Sequence, residues 1–175
     1  ASLEWLIRLE LLPHLMPDIA AALEAAPESA GARLVQLGLE DTDDRVHDDK
    51  SVTPTFLFAV LLWPAILRAL GTPDGPLPDD PQRLLDASDK VIGRQLQRIA
   101  LPKRFSLPMR ELIMLQTRFE RRSGRRALRL LEHPRFRAAY DFLLLRAESG
   151  EADPQLAQWW TDLQAASADD RLAMV

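Results

Sequence analysis

The sequence contains no cysteine, so disulfides and cysteine-ligated zinc are excluded, and a reducing compartment suits it. Glycine is scarce, at seven residues, and none belongs to a phosphate-cradling loop, which removes the Walker-type and dinucleotide fingerprints. Strand-like alternation of β-branched residues is missing, so no sheet is expected. Long apolar runs are missing too: the most hydrophobic stretch, 56–67, is about a dozen residues with Pro64 inside it, too short to span a bilayer. The opening ASLEWLIRLELLPHL has neither a basic leader nor a small-residue cleavage site. These absences predict a cytoplasmic chain without a membrane partner.

What is present favours helices nearly everywhere. The 175 residues are 47% hydrophobic and rich in Leu, Ala, Arg and Glu, enough for a substantial core. The expected fold is all-α, an irregular multi-helix bundle. Asp18 is expected to cap a first helix, and Thr53 with Pro54 to open one over 55–70, kinked or interrupted by Pro64 and ended by Gly71. A helix over 83–100 follows. Ser106 is the expected cap of a helix over 109–122 that stops near Ser123 and Gly124. A short helix to Glu132, one from Pro134 to about Ser149, and a last one opened by Pro154 complete the reading. The segment 71–82, with Pro73, Pro76, Pro78 and Pro81, divides the chain into regions 1–75 and 76–175. These are two helical regions or one continuous domain.

Charge separates the same two parts. The net charge is −4, yet residues 94–146 hold 14 basic and 4 acidic side chains, a balance of +10 against −14 elsewhere. Such asymmetry points to a polyanionic partner. The stretch FERRSGRRALRLLEHPRFRAAYDF, 119–142, alone contains seven arginines. If one helix ran through Gly124, then Arg118, Arg122, Arg125 and Arg129 would form a continuous stripe. If Gly124 ends the helix, the preferred reading, Arg121, Arg122, Arg125 and Arg126 crowd both sides of a tight turn. A guanidinium suits phosphate, because it presents a planar fork of donors and stays charged. Lys103 and Arg104 are expected to extend this patch.

Other motifs are weaker. EDTDDRVHDD, 40–49, has six acids in ten positions, but lacks the central glycine of a calcium loop. It reads as a solvated face or an internal counter-charge for the arginines. The His47-Asp48 pair would suit a metal-dependent phosphohydrolase, but His14 and His133 have no suitable spacing to complete it. Phe119, Phe136, Tyr140, Phe142, Trp159 and Trp160 lie among leucines at helical spacing and are assigned to the core rather than to base stacking. No catalytic or metal-ligating residue is assigned.

LPKR at 101–104, ERRSGRRALRLLEHPRFRAAYDFLLLRAE at 120–148 and QWW at 158–160 closely resemble the arginine-rich C-terminal region of bacterial poly(A) polymerase I. DTDDRVHDDKSVTPTFLFAVLLW at 41–63 is similar to the helical RNA-binding body that precedes that region. The resemblance implies an RNA-binding portion of an enzyme that adds adenylates from ATP to RNA 3′ ends. The transfer itself would need ATP and magnesium in an N-terminal nucleotidyltransferase head whose motifs this sequence lacks, so the chain by itself is expected to be inactive. Arg121, Arg122, Gly124 and Arg126 match the family's R-R-x-G-x-R pattern, and Lys103 and Arg104 its P-K-R turn. Arg118, Arg125 and Arg129 join from the charge argument. The implied partners are the single-stranded 3′ region of an RNA and the head. The alternative is a protein-interaction domain whose basic surface docks an acidic component of an RNA-decay assembly.

Overall fold

The computed structural model describes residues 2–73 and 75–175, and every regular element among them is an α-helix. In chain order these are α1 (Ser2–Arg8), α2 (Leu12–Leu15), α3 (Pro17–Ala25), α4 (Ala30–His47), α5 (Pro54–Leu70) and α6 (Pro81–Leu96). They are followed by α7 (Lys103–Phe119), α8 (Arg125–Leu131), α9 (Phe136–Ser149), α10 (Pro154–Ala165) and α11 (Ala168–Met174). The all-α bundle expected from composition is what forms.

α5 is the axis of the bundle. Nine consecutive residues, Ala59 to Leu67, are buried, so this helix is covered on all sides, by α3, α4, α6, α7 and α9. Its apolar run is therefore the middle of the core and not a one-sided face. Pro54 occupies the first turn, where a missing N–H costs nothing, and Gly71 follows the last. The helix runs unbroken through Pro64, so of the expected kink or interruption the interruption does not occur. α4 lies flush against it because Gly38 leaves room: a Cβ there would come within 2.7 Å of Val60 Cγ1 and 3.0 Å of Leu145 Cδ2. The core is one cluster, drawing Ile19, Leu34, Val60 and Trp63 together with Val91, Ile113, Phe142 and Trp160.

Some boundaries differ from the sequence expectation. Asp18 lies in the first turn of α3 instead of capping it, and its carboxylate accepts a hydrogen bond from Arg94 Nε at 2.7 Å. α7 starts six residues before the expected 109, directly after Pro102, and Ser106 is buried within it, not a cap. The helix needs that extra turn to lay Ser106, Met109, Leu112 and Ile113 on the core. α11, beyond the last predicted helix, is capped by Ser167, whose Oγ accepts from Asp170 N at 3.2 Å. Among the described residues no helix is long and apolar enough to cross a membrane.

Candidate functional site

The arginines gather where α7 stops. α7 ends at Phe119, the chain turns through 120–124, and α8 starts at Arg125. The turn is fixed from several sides. Trp160 Nε1 donates to the Phe119 carbonyl at 3.0 Å, satisfying one of the acceptors that a helix C-terminus leaves open. Arg121 N donates to Arg118 O at 3.2 Å, and Gly124 N donates to Val175 O at 2.8 Å, which ties the end of α11 to the turn. Gly124 itself has φ +68° and ψ −166°, a region essentially closed to residues with a Cβ. The continuous basic stripe is thus ruled out, and the tight turn is the geometry that forms.

Below the turn lies an aromatic floor. Phe119 and Trp160 meet edge to face with centroids 5.0 Å apart, Phe136 is 5.9 Å from each, and Trp159 contacts Trp160 at 4.9 Å. Phe119, Phe136, Tyr140, Phe142 and Trp160 are buried, as expected for core residues, while Trp159 is half-buried. Phe119 and Trp160 support the turn from beneath, whereas Phe142 packs on Phe56 and Trp63.

Arg118, Arg121, Arg122, Arg125, Arg126 and Arg129 are all exposed. Among the described residues none of the six forms an ion pair or a side-chain hydrogen bond; the ion pairs involve other residues. Arg121, Arg122 and Arg126, with Ser123, line an open hollow of about 520 Å³, walled on one side by Met174 and Val175. Among the described residues that line it, Glu120 is the acidic side chain. Partial loss of water raises the Glu120 carboxyl above its usual range; Arg146 and Arg122 oppose the shift, while Glu151 and Asp153 add to it. The acidic stretch 40–49 is exposed on the C-terminal half of α4, where Asp48 pairs with Lys50 at 2.9 Å. Its Glu40, Asp41 and Asp44 line a hollow together with Arg135 and Arg137, while Arg121, Arg122 and Arg126 of the turn line a different one.

Lys103 and Arg104 are exposed as well, but they do not join this cluster. They occupy the first turn of α7, whereas the arginine turn follows its last. Sixteen residue steps at about 1.5 Å put the two ends roughly 24 Å apart. The expected single patch is two basic ends of one helix. Sequence reasoning also missed two ion pairs midway along α7: its Arg110 pairs with Asp89 of α6 at 3.1 Å, and its Glu111 with Arg135 at 3.3 Å.

A buried polar group braces the site from the other side. Arg146 of α9 and Glu151 pair with almost no exposure, 2% and 1% of their side chains. Arg146 Nη1 donates to Gln116 Oε1 of α7 at 3.1 Å, Gln116 Nε2 donates to Ala139 O at 3.0 Å, and the guanidinium stands 5.2 Å over the Trp63 ring. This links α5, α7, α9 and the α9–α10 corner. His47 ends α4, and His133 Nδ1 accepts from Arg135 N at 3.1 Å, so the histidines do not converge. Among the described residues no three His, Asp or Glu side chains are grouped to hold a metal ion.

Residues 79–175 match the family model described as "Polymerase A arginine-rich C-terminus". The chain belongs to that family. It is 36% identical over 170 residues to poly(A) polymerase I of Escherichia coli O6:H1, and 35% identical to that of Salmonella typhi, in each case covering 94% of this chain and 36% of the relative. The corresponding enzyme of Haemophilus influenzae is 30% identical over 169 residues, covering 37% of its length. The chain thus spans about a third of the length of these relatives. The arginine-rich part of the match contains the whole of α7, the Gly124 turn and α8, the elements that build the exposed arginine cluster.

Proposed function

We propose that this chain is the RNA-binding portion of a poly(A) polymerase of the cytoplasm, and that the arginine turn holds the primer by its phosphates. Six exposed guanidinium groups that form no ion pair among the described residues, set at and beside a braced turn in a chain of net charge −4 with Glu120 as a neighbouring acid, carry this reading. An unpaired surface cation has lost little water and keeps its forked donors free for an incoming oxyanion. Contacts of this type position a strand without reading its bases, so little sequence preference is expected. Adenylate transfer, with its ATP and magnesium, is assigned to a nucleotidyltransferase head outside these residues. Membership of the family and likeness to poly(A) polymerases support the assignment of the polyanion as RNA.

Photocrosslinking of a single-stranded adenylate-rich RNA to the protein, followed by peptide mapping, tests this. Adducts are expected in the peptides that cover 118–129. Adducts confined to α1 to α4, or their absence at low salt, would contradict it.

A further inference from the structure

We infer that the outer face of α7 extends the arginine turn into a rail for one RNA strand, with Lys103 and Arg104 as its far end. This rests on the RNA reading above. Arg104, Glu111 and Arg118 recur every seven residues, so at about 100° per residue they stay within roughly 40° of one another around the helix, each step rising about 10.5 Å. All three are exposed, and the opposite face of α7 is the one buried in the core.

The acid in the middle of this row does not break it. Glu111 is paired with Arg135, and the neighbouring Arg110 with Asp89, so the centre of the strip is charge-balanced while both ends keep cations without a carboxylate partner. Between the ends, Leu107 is 55% exposed and Met114 half-buried. Two cationic ends with a charge-balanced stretch between them, on which Leu107 is exposed, suit a strand whose phosphates are anionic and whose bases have apolar faces. They suit an acidic peptide less well, since its charged side chains gain nothing from that stretch.

The geometry sets a length requirement. A stacked strand advancing roughly 3.4 Å per nucleotide needs about seven nucleotides to cover the roughly 24 Å between Lys103 and the turn. Shorter RNA can occupy only one end.

The test compares the salt dependence of binding for single-stranded oligoadenylates of about four and about twelve nucleotides. The proteins are the unmodified chain, Lys103→Ala/Arg104→Ala, and the fourfold Ala variant at Arg121, Arg122, Arg125 and Arg126. Thermal melts confirm folding, which is expected because all six side chains are exposed. For the longer strand, loss of two phosphate contacts at the Lys103 end lowers the slope of log K against log salt by about 1.4. For the shorter strand the slope does not change, since the turn outcompetes the two-cation end. An equal drop for both lengths, or no drop for either while the fourfold variant loses binding, overturns the rail and leaves the arginine turn as the RNA site. If the unmodified chain binds neither oligonucleotide, the RNA reading falls and the rail with it.

Discussion

Replacing Arg146 by Met should be among the most damaging single changes in this protein. The guanidinium is buried with the Glu151 carboxylate, donates to Gln116 and stands over Trp63. A methionine fills much of the same volume, so cavity formation contributes little, but it leaves a carboxylate in the interior without its cation. Breaking a buried pair in this way costs about 3–5 kcal/mol. For a chain of this size each kcal/mol lowers Tm by about 2–4 °C, so the variant should melt about 6–20 °C below the unmodified protein. Adding Glu151→Met removes the stranded charge. The double variant should recover most of the loss, retaining a deficit of about 1–3 kcal/mol from Gln116 Oε1, which has then lost its donor. Urea unfolding of the unmodified protein, the single variants Arg146→Met and Glu151→Met, and the double variant at neutral pH closes the cycle. A single variant within about 1 kcal/mol of the unmodified protein, or a double variant less stable than the single, would refute the claim that this pair is an interior charge balance.

Gly124→Ala should cost about 1–3 kcal/mol for backbone reasons alone, because no atom stands within 4 Å of the added Cβ, and it should weaken RNA binding by moving the arginines; unchanged melting would show that the turn is not strained. Gly38→Ala should destabilise by about 1–3 kcal/mol through overpacking against Val60 and Leu145, whereas Gly93→Ala, in open space on α6, should be neutral or stabilising by up to about 1 kcal/mol; both are read by urea unfolding. The raised Glu120 carboxyl means that the folded protein binds its proton more tightly than the unfolded chain does. Its contribution therefore favours the fold below the usual glutamate value of about 4.3 and is lost as pH rises through the raised one. Glu120→Gln should accordingly be more stable than the unmodified protein at neutral pH, with the gain disappearing in acid, in unfolding curves taken across that range.

Much of this fold was legible because its signals are local. Proline and glycine mark real helix ends at Pro54, Gly71 and Pro154, and leucine-rich periodicity without β-branched runs leaves little but helices. The failures arose where packing overrode a local cue. Ser106 before Pro108 looks like a cap, yet burying Ser106 with Met109 and Leu112 against α5 favours a helix that starts at Lys103. α11 was missed although Ser167 and Asp170 stand at capping distance in sequence, because a seven-residue helix shows little periodicity. For the site, composition located the arginines and Gly124 chose the turn over the stripe. The separation of Lys103 and Arg104 from that turn depends on where α7 starts. The arrival of Arg135 beside Glu111 is a tertiary contact between residues 24 apart, and no spacing rule could have shown it.

The phosphate-holding role of the arginine turn is tested most directly by titrating a fluorescent adenylate-rich single-stranded RNA across a salt series, with the unmodified chain beside the fourfold Ala variant at Arg121, Arg122, Arg125 and Arg126. Each phosphate neutralised on a single strand contributes about 0.7 to the slope of log K against log salt, so removing four contacts should flatten it by about 2.8. That flattening, with the fold intact by thermal melt, is the predicted result. A steep slope that the variant leaves unchanged would place the RNA elsewhere on the protein and contradict the assignment of the turn.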